Sequence, residues 1–141
     1  MSDLFSAAWA AELERELTRS EEYRRAAASW RGTLAFLLEP TPDLGYVDGR
    51  SLFLDLLHGS PRAVRPALPG DLKAASFHLS GSARVWHDLL EGRLEAATAL
   101  TGGRLRLVRG SLFQLLPHLG AARALLDCAR SVGASPPEER A

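Results

Sequence analysis

The hydrophobic period of this 141-residue chain changes near Gly32, and that change constrains the fold more than any other feature. Before it, Phe5, Trp9, Leu13 and Leu17 recur every four residues, with Leu4 and Ala8 widening the stripe. This spacing predicts an amphipathic helix over Asp3–Thr18. Ser20 can cap a second short helix, with Glu21 and Glu22 where the helix dipole favours negative charge and Tyr23, Ala26 and Ala27 facing inward. From Trp30 to Glu39 the even positions Trp30, Leu34, Phe36 and Leu38 alternate with the odd ones, which predicts a strand closed by Pro40 and Pro42.

The rest of the chain continues in blocks. Ser51–His58 reads as a strand; its near-continuous apolar run also fits a buried helix, and His58-Gly59-Ser60-Pro61 favours the hairpin. Arg62–Arg65 is a third strand, at an edge because of Pro66. Lys73–Ser80 alternates and predicts a fourth. Ser82 can cap a helix running to Glu91, stopped by Gly92, and Leu94–Thr101 is a short helix broken by Gly102-Gly103. Arg104–Arg109 alternates Leu and Arg most cleanly. Ser111 can cap a turn of helix, and a last helix runs from His118 to Val132. The order ααβββ–βααβαα lacks the βαβ alternation of a doubly wound parallel sheet. It predicts an α+β domain over residues 1–133, with about five strands and helices mainly on one face, and a disordered tail over 134–141.

Composition removes several functions. Seventeen basic and seventeen acidic residues cancel, so the chain lacks the cationic excess of a nonspecific nucleic-acid binder. One cysteine, Cys128, excludes a disulfide scaffold and a thiolate zinc site. The longest apolar runs, Leu34–Leu38 and Leu52–Leu57, fall far short of the roughly 18–20 residues that span a bilayer. Without a basic, apolar leader, the expected compartment is a reducing cytoplasm. His58, His78, His87 and His118 have no metal-ligand spacing, and His87 beside Asp88 is expected on the exposed side of its helix. No G-x-S-x-G elbow is present, and no nucleophile–base pair is evident. Arg104, Arg106 and Arg109 could meet an anion, though a solvated strand face explains them, and Cys128 reads as an inert core thiol.

The C-terminal half carries more apolar surface than one-sided packing needs. On the last helix Leu119, Ala122, Leu126 and Ala129 form one stripe, and Leu125, Cys128 and Val132 a second. Leu112, Phe113, Leu115 and Leu116 are apolar almost all round. Such helices lie between layers, meet a partner chain or line a cavity; periodicity does not separate a filled core from a pocket.

The stretch from Phe77 to Arg130 contains Phe77-His78-Leu79-Ser80-Gly81-Ser82, then Trp86-His87-Asp88-Leu89-Leu90-Glu91-Gly92-Arg93-Leu94, then Gly102-Gly103-Arg104-Leu105-Arg106-Leu107-Val108-Arg109-Gly110. In order and spacing it resembles the sterol carrier protein 2 domain family. Ala8-Trp9-Ala10, Ser20-Glu21-Glu22-Tyr23 and Trp30-x-Gly32 resemble its bacterial stand-alone members; Tyr46–Gly70, rich in proline, departs most. The resemblance implies a five-stranded sheet enclosing an apolar tunnel. It implies a non-catalytic carrier of a fatty acyl chain, acyl-CoA, phospholipid or sterol-like molecule, needing no cofactor and leaving room for transient membrane contact. The candidate lining residues are Trp86, Leu89, Leu90, Leu94, Leu100, Leu105, Leu107, Phe113, Leu116, Leu125 and Cys128. An empty 300 Å3 void would cost roughly 7 kcal/mol, so the space is expected to be occupied, solvent-filled or partly collapsed. The alternative is a homodimeric interaction module burying the C-terminal apolar faces with Trp9 and Trp30, its pocket vestigial.

Overall fold

The computed structural model describes residues 3–133; the predicted tail, 134–141, lies outside the described residues. Two helices open the chain, α1 (Ala7–Arg19) and α2 (Glu21–Ala26). The α1 helix begins later than its hydrophobic stripe. Ser6 caps it by accepting the Trp9 N–H, while Leu4 and Phe5 are buried ahead of the first turn. Ser20 caps α2 as expected, accepting from the Tyr23 N–H.

Strands β1 (Arg31–Glu39), β2 (Arg50–Leu57) and β3 (Ser60–Pro66) form an antiparallel meander, which resolves Ser51–His58 as a strand. The hairpin between β2 and β3 needs glycine at Gly59. Its φ is +83°, and an added Cβ would lie 2.6 Å from the Arg24 carbonyl oxygen of α2. Next comes α3 (Asp71–Ala74), then β4 (Phe77–Ser82), parallel to β1. Here the structure corrects the expectation of a strand from Lys73. Asp71 accepts from the Leu68 N–H and pairs with Arg65, closing a helical turn where alternation suggested strand. After α4 (Ala83–Leu90) and α5 (Ala96–Thr101), β5 (Arg106–Arg109) pairs antiparallel with β4. Then α6 (Leu112–Leu115), a 3-10 turn at Leu116–His118 and α7 (Leu119–Val132) follow. Ser111 makes no side-chain cap on α6.

The sheet order is β3-β2-β1-β4-β5. Leu34, Phe36, Leu38, Leu52, Leu54, Leu56, Phe77 and Leu79 belong to the main core with the residues of α1, α4 and α7. The other face carries a small separate cluster, Ala35, Phe53 and Ala75, which Leu37, Ala67 and Leu72 cover. Helices therefore cover mainly one face. Trp9, Trp30 and Leu125, assigned above to a dimer interface in the alternative reading, are buried within the single chain. No helix among the described residues is long and apolar enough to cross a membrane.

Candidate functional site

The sheet's main face supplies the floor of a cavity. Leu34 and Phe36 of β1, Leu56 of β2 and Leu79 of β4 point into it. They do so because side chains two residues apart on a strand share a face. Trp86 and Leu89 of α4 close one side. The start of α4 is fastened to the end of β1: Ala83 N–H donates to Thr41 Oγ1 at 3.0 Å, and Ser82 caps the helix. Trp86 Nε1 donates to the Leu37 carbonyl at 3.0 Å, which fixes the indole, and Phe36 packs against it with ring centroids 5.0 Å apart. Ala121, Leu125 and Leu126 of α7 form the roof, with Tyr23 of α2 and Trp30 just ahead of β1.

Ala96, Leu100, Leu115, His118, Leu119 and Ala122 also line the cavity and are not fully buried. They mark its mouth, between α5 and the corner joining α6 to α7. The cavity volume is about 80 Å3, and no carboxylate, arginine or lysine is among the described residues that line it. His118 is the one imidazole in the lining, standing edge-on to Trp30 with ring centroids 4.9 Å apart. Gly32 lies against the indole: a Cβ there would sit 3.2 Å from Cζ2 of Trp30, so the ring would have to give by a few tenths of an ångström.

Of the eleven residues named from sequence, five border this cavity: Trp86, Leu89, Leu100, Leu105 and Leu125. Leu90 and Leu94 are buried in the core away from it, and Leu107 is half-buried at its edge strand. Cys128 faces α1, its thiol 3.8 Å from the Glu16 carbonyl oxygen. Burial pushes the Cys128 thiol up from its ordinary range, so it stays protonated at neutral pH. Phe113 and Leu116 turn outward, 84% and 47% exposed, because the short α6 turn presents only Leu115 to the interior. Sequence reasoning passed over Tyr23, Trp30 and the sheet floor. The even-position alternation of β1 had already marked the floor's inward face.

Outside the cavity, polar groups serve the fold. His87 is half-buried, not on an exposed side, and its Nε2 lies 2.9 Å from the Tyr46 hydroxyl. Asp88 accepts from Arg93 at 2.9 Å and Arg104 at 3.2 Å. The Arg93 hydrogen bond, with that from Arg104, holds its carboxyl below the usual carboxylate range. Arg106 pairs with Glu39, and Arg109 donates to the Leu72 and Lys73 carbonyls. The arginine row is thus a solvated but paired strand face. Among the described residues no cluster of three His, Cys, Asp or Glu side chains could hold a metal.

The profile of the SCP-2 sterol transfer family matches residues 11–113. The chain belongs to that family. It is 38% identical to a protein whose crystal structure is that of sterol carrier protein 2. That match covers 93% of this chain and all of the other, with a TM-score of 0.84. A conserved hypothetical protein from Thermus thermophilus, known from a solution structure, is 37% identical over 96% of this chain and 94% of its own, with a TM-score of 0.83. The apo form of sterol carrier protein 2 from Yarrowia lipolytica shares the fold at 16% identity, covering 89% of this chain and 97% of its own, with a TM-score of 0.58. No curated protein sequence matches the chain.

Proposed function

We propose that this protein is a non-catalytic lipid carrier that shelters an apolar chain between the sheet and α7. The observation that carries the reading is the apolar cavity, open between α5 and the α6–α7 corner, whose described lining holds no carboxylate, arginine or lysine. Membership of the SCP-2 sterol transfer family supports it. Burying a methylene is worth about 0.8 kcal/mol, so a sixteen-carbon chain gains on the order of 12 kcal/mol gross. Association and ordering remove several kcal/mol of that. Micromolar or tighter binding then follows without any specific polar contact, which favours loose selectivity among fatty acyl chains, acyl-CoA, phospholipids and sterol-like molecules.

The volume adds a condition. An 80 Å3 space is smaller than the roughly 150 Å3 cavity that accepts benzene. A long chain therefore enters only if the walls part, and the incompletely buried residues from Leu115 to Ala122 are where they can do so at least cost. At about 80 Å3 the cavity is narrower than the chain it would shelter.

Denaturing mass spectrometry of freshly purified protein is expected to release a lipid or fatty acid. Adding a long-chain fatty acid to delipidated protein is expected to raise the thermal midpoint, since a ligand that binds only the native state stabilises it. No lipid in the purified protein and no shift with any acyl ligand would end the carrier reading.

A further inference from the structure

The chain has three tryptophans and two tyrosines, and their polar atoms have different fates. Trp9 Nε1 donates to the Gly133 carbonyl and Trp86 Nε1 to that of Leu37. The Tyr46 hydroxyl lies within hydrogen-bond distance of His87. The indole N–H of Trp30 and the hydroxyl of Tyr23 are buried with no hydrogen-bond partner. Trp30 is 6% exposed and Tyr23 1% exposed, and both line the cavity. Buried polar side-chain atoms nearly always find a partner, and leaving one unpaired costs free energy. Here both such atoms belong to residues that line one apolar cavity, each atom sealed just behind its wall.

We propose that Tyr23 and Trp30 form a polar anchor for a ligand that brings a neutral oxygen, a hydroxyl or a carbonyl, into this cavity. The proposal rests on the carrier reading above and narrows its ligand class. An indole N–H only donates, so the ligand atom it meets is an acceptor. A tyrosine hydroxyl donates or accepts, which suits a hydroxyl or a carbonyl alike. A carboxylate desolvated there would need a counter-charge, and the described lining offers no arginine or lysine, its one basic side chain being the His118 imidazole on the edge of the Trp30 ring. The indole is held in place by its seat on Gly32 and by Phe77 and His118, with ring centroids 5.6 Å and 4.9 Å away. Burial keeps Tyr23 a phenol, a donor throughout the neutral range.

Binding of four ten-carbon probes, decane, decan-1-ol, decan-2-one and decanoate, to the wild type, Tyr23→Phe and Trp30→Phe by calorimetry tests the anchor. Each probe's own hydration cancels when a variant is compared with the wild type. Each variant is expected to weaken decan-1-ol and decan-2-one by about 3- to 10-fold, the scale of one hydrogen bond, while decane and decanoate keep their affinities. Equal losses for all four probes would assign both residues to packing and overturn the anchor. No loss for any probe would overturn it too, meaning that water or nothing meets these donors, and would leave the carrier reading intact. If no probe binds the wild type, anchor and carrier reading fall together. Tyr23→Phe removes only an unpartnered oxygen, so it folds at least as well as the wild type; it decides the question alone if Trp30→Phe does not fold.

Discussion

Tyr23 connects burial, titration and function in one side chain. Its hydroxyl has no partner, and burial, reinforced by the nearby Cys128, pushes its pKa up to about 12. In the unfolded chain a tyrosine titrates near 10. The raised folded value means that the native state holds the proton more tightly. The resulting stability is fully present below pH 10 and is lost as pH rises from 10 towards 12. Urea unfolding of the wild type is therefore expected to lose about 1.4 kcal/mol per pH unit in that window relative to Tyr23→Phe. Parallel curves for the two proteins between pH 10 and 12 would mean that the phenol is solvated. At the same scale, the sequence showed that Tyr23 faces inward and that Trp30 and Phe36 share a face. It did not show that this face meets a cavity, because period reports which side is apolar and not how closely the opposite layer approaches. Trp86 and Leu89 were legible because α4 presents a single apolar face capped at Ser82.

Among the elements, α6 and α7 differ most from what their apolar content suggests. The Leu112–Leu116 stretch is apolar almost all round, yet only Leu115 reaches the cavity while Phe113 is solvent-exposed. A four-residue turn followed by a 3-10 turn has too few residues to bury every side chain it carries. By contrast, α7 buries Leu125, Leu126, Cys128, Ala129 and Val132 inside the single chain, with Leu125 and Leu126 on the cavity and the helix packed against α1 and α2. Phe113→Ser is expected to change unfolding free energy by less than about 0.5 kcal/mol, as for an exposed substitution, and to leave acyl-ligand affinity unchanged. Leu125→Ala is expected to cost about 2–4 kcal/mol and to weaken the ligand. Chemical denaturation and ligand titration of the two variants read both quantities, and a reversed ranking would place the binding surface on α6. The sequence separated these helices as elements but not their exposures, which depend on where Pro117 lets the chain turn. The strand expected from Lys73 was displaced for a comparable reason. The hydrogen bond from Leu68 to Asp71 outweighs a short alternating pattern.

For the whole molecule, the cavity makes ligand binding and stability opposing demands on the same space. At about 24 cal/mol per Å3, a void of 80 Å3 costs on the order of 2 kcal/mol, a substantial share of the 5–15 kcal/mol typical of a domain. Filling it should return part of that cost and take away the site. Ala122 is suited to this: it lines the cavity on α7 and is half-buried, and leucine is a strong helix former. Ala122→Leu is expected to stabilise the ligand-free protein by about 0.5–1.5 kcal/mol, in the range of cavity-filling substitutions, and to abolish most of the thermal shift caused by a long-chain fatty acid. Thermal unfolding with and without ligand measures both effects on one sample. A destabilised variant would mean that the added atoms overpack the wall. A stabilised variant with an undiminished ligand shift would mean that the chain binds elsewhere. Only the combination of a higher midpoint and a lost ligand response is what a narrow carrier pocket requires, because in such a pocket the leucine and the ligand compete for the same volume.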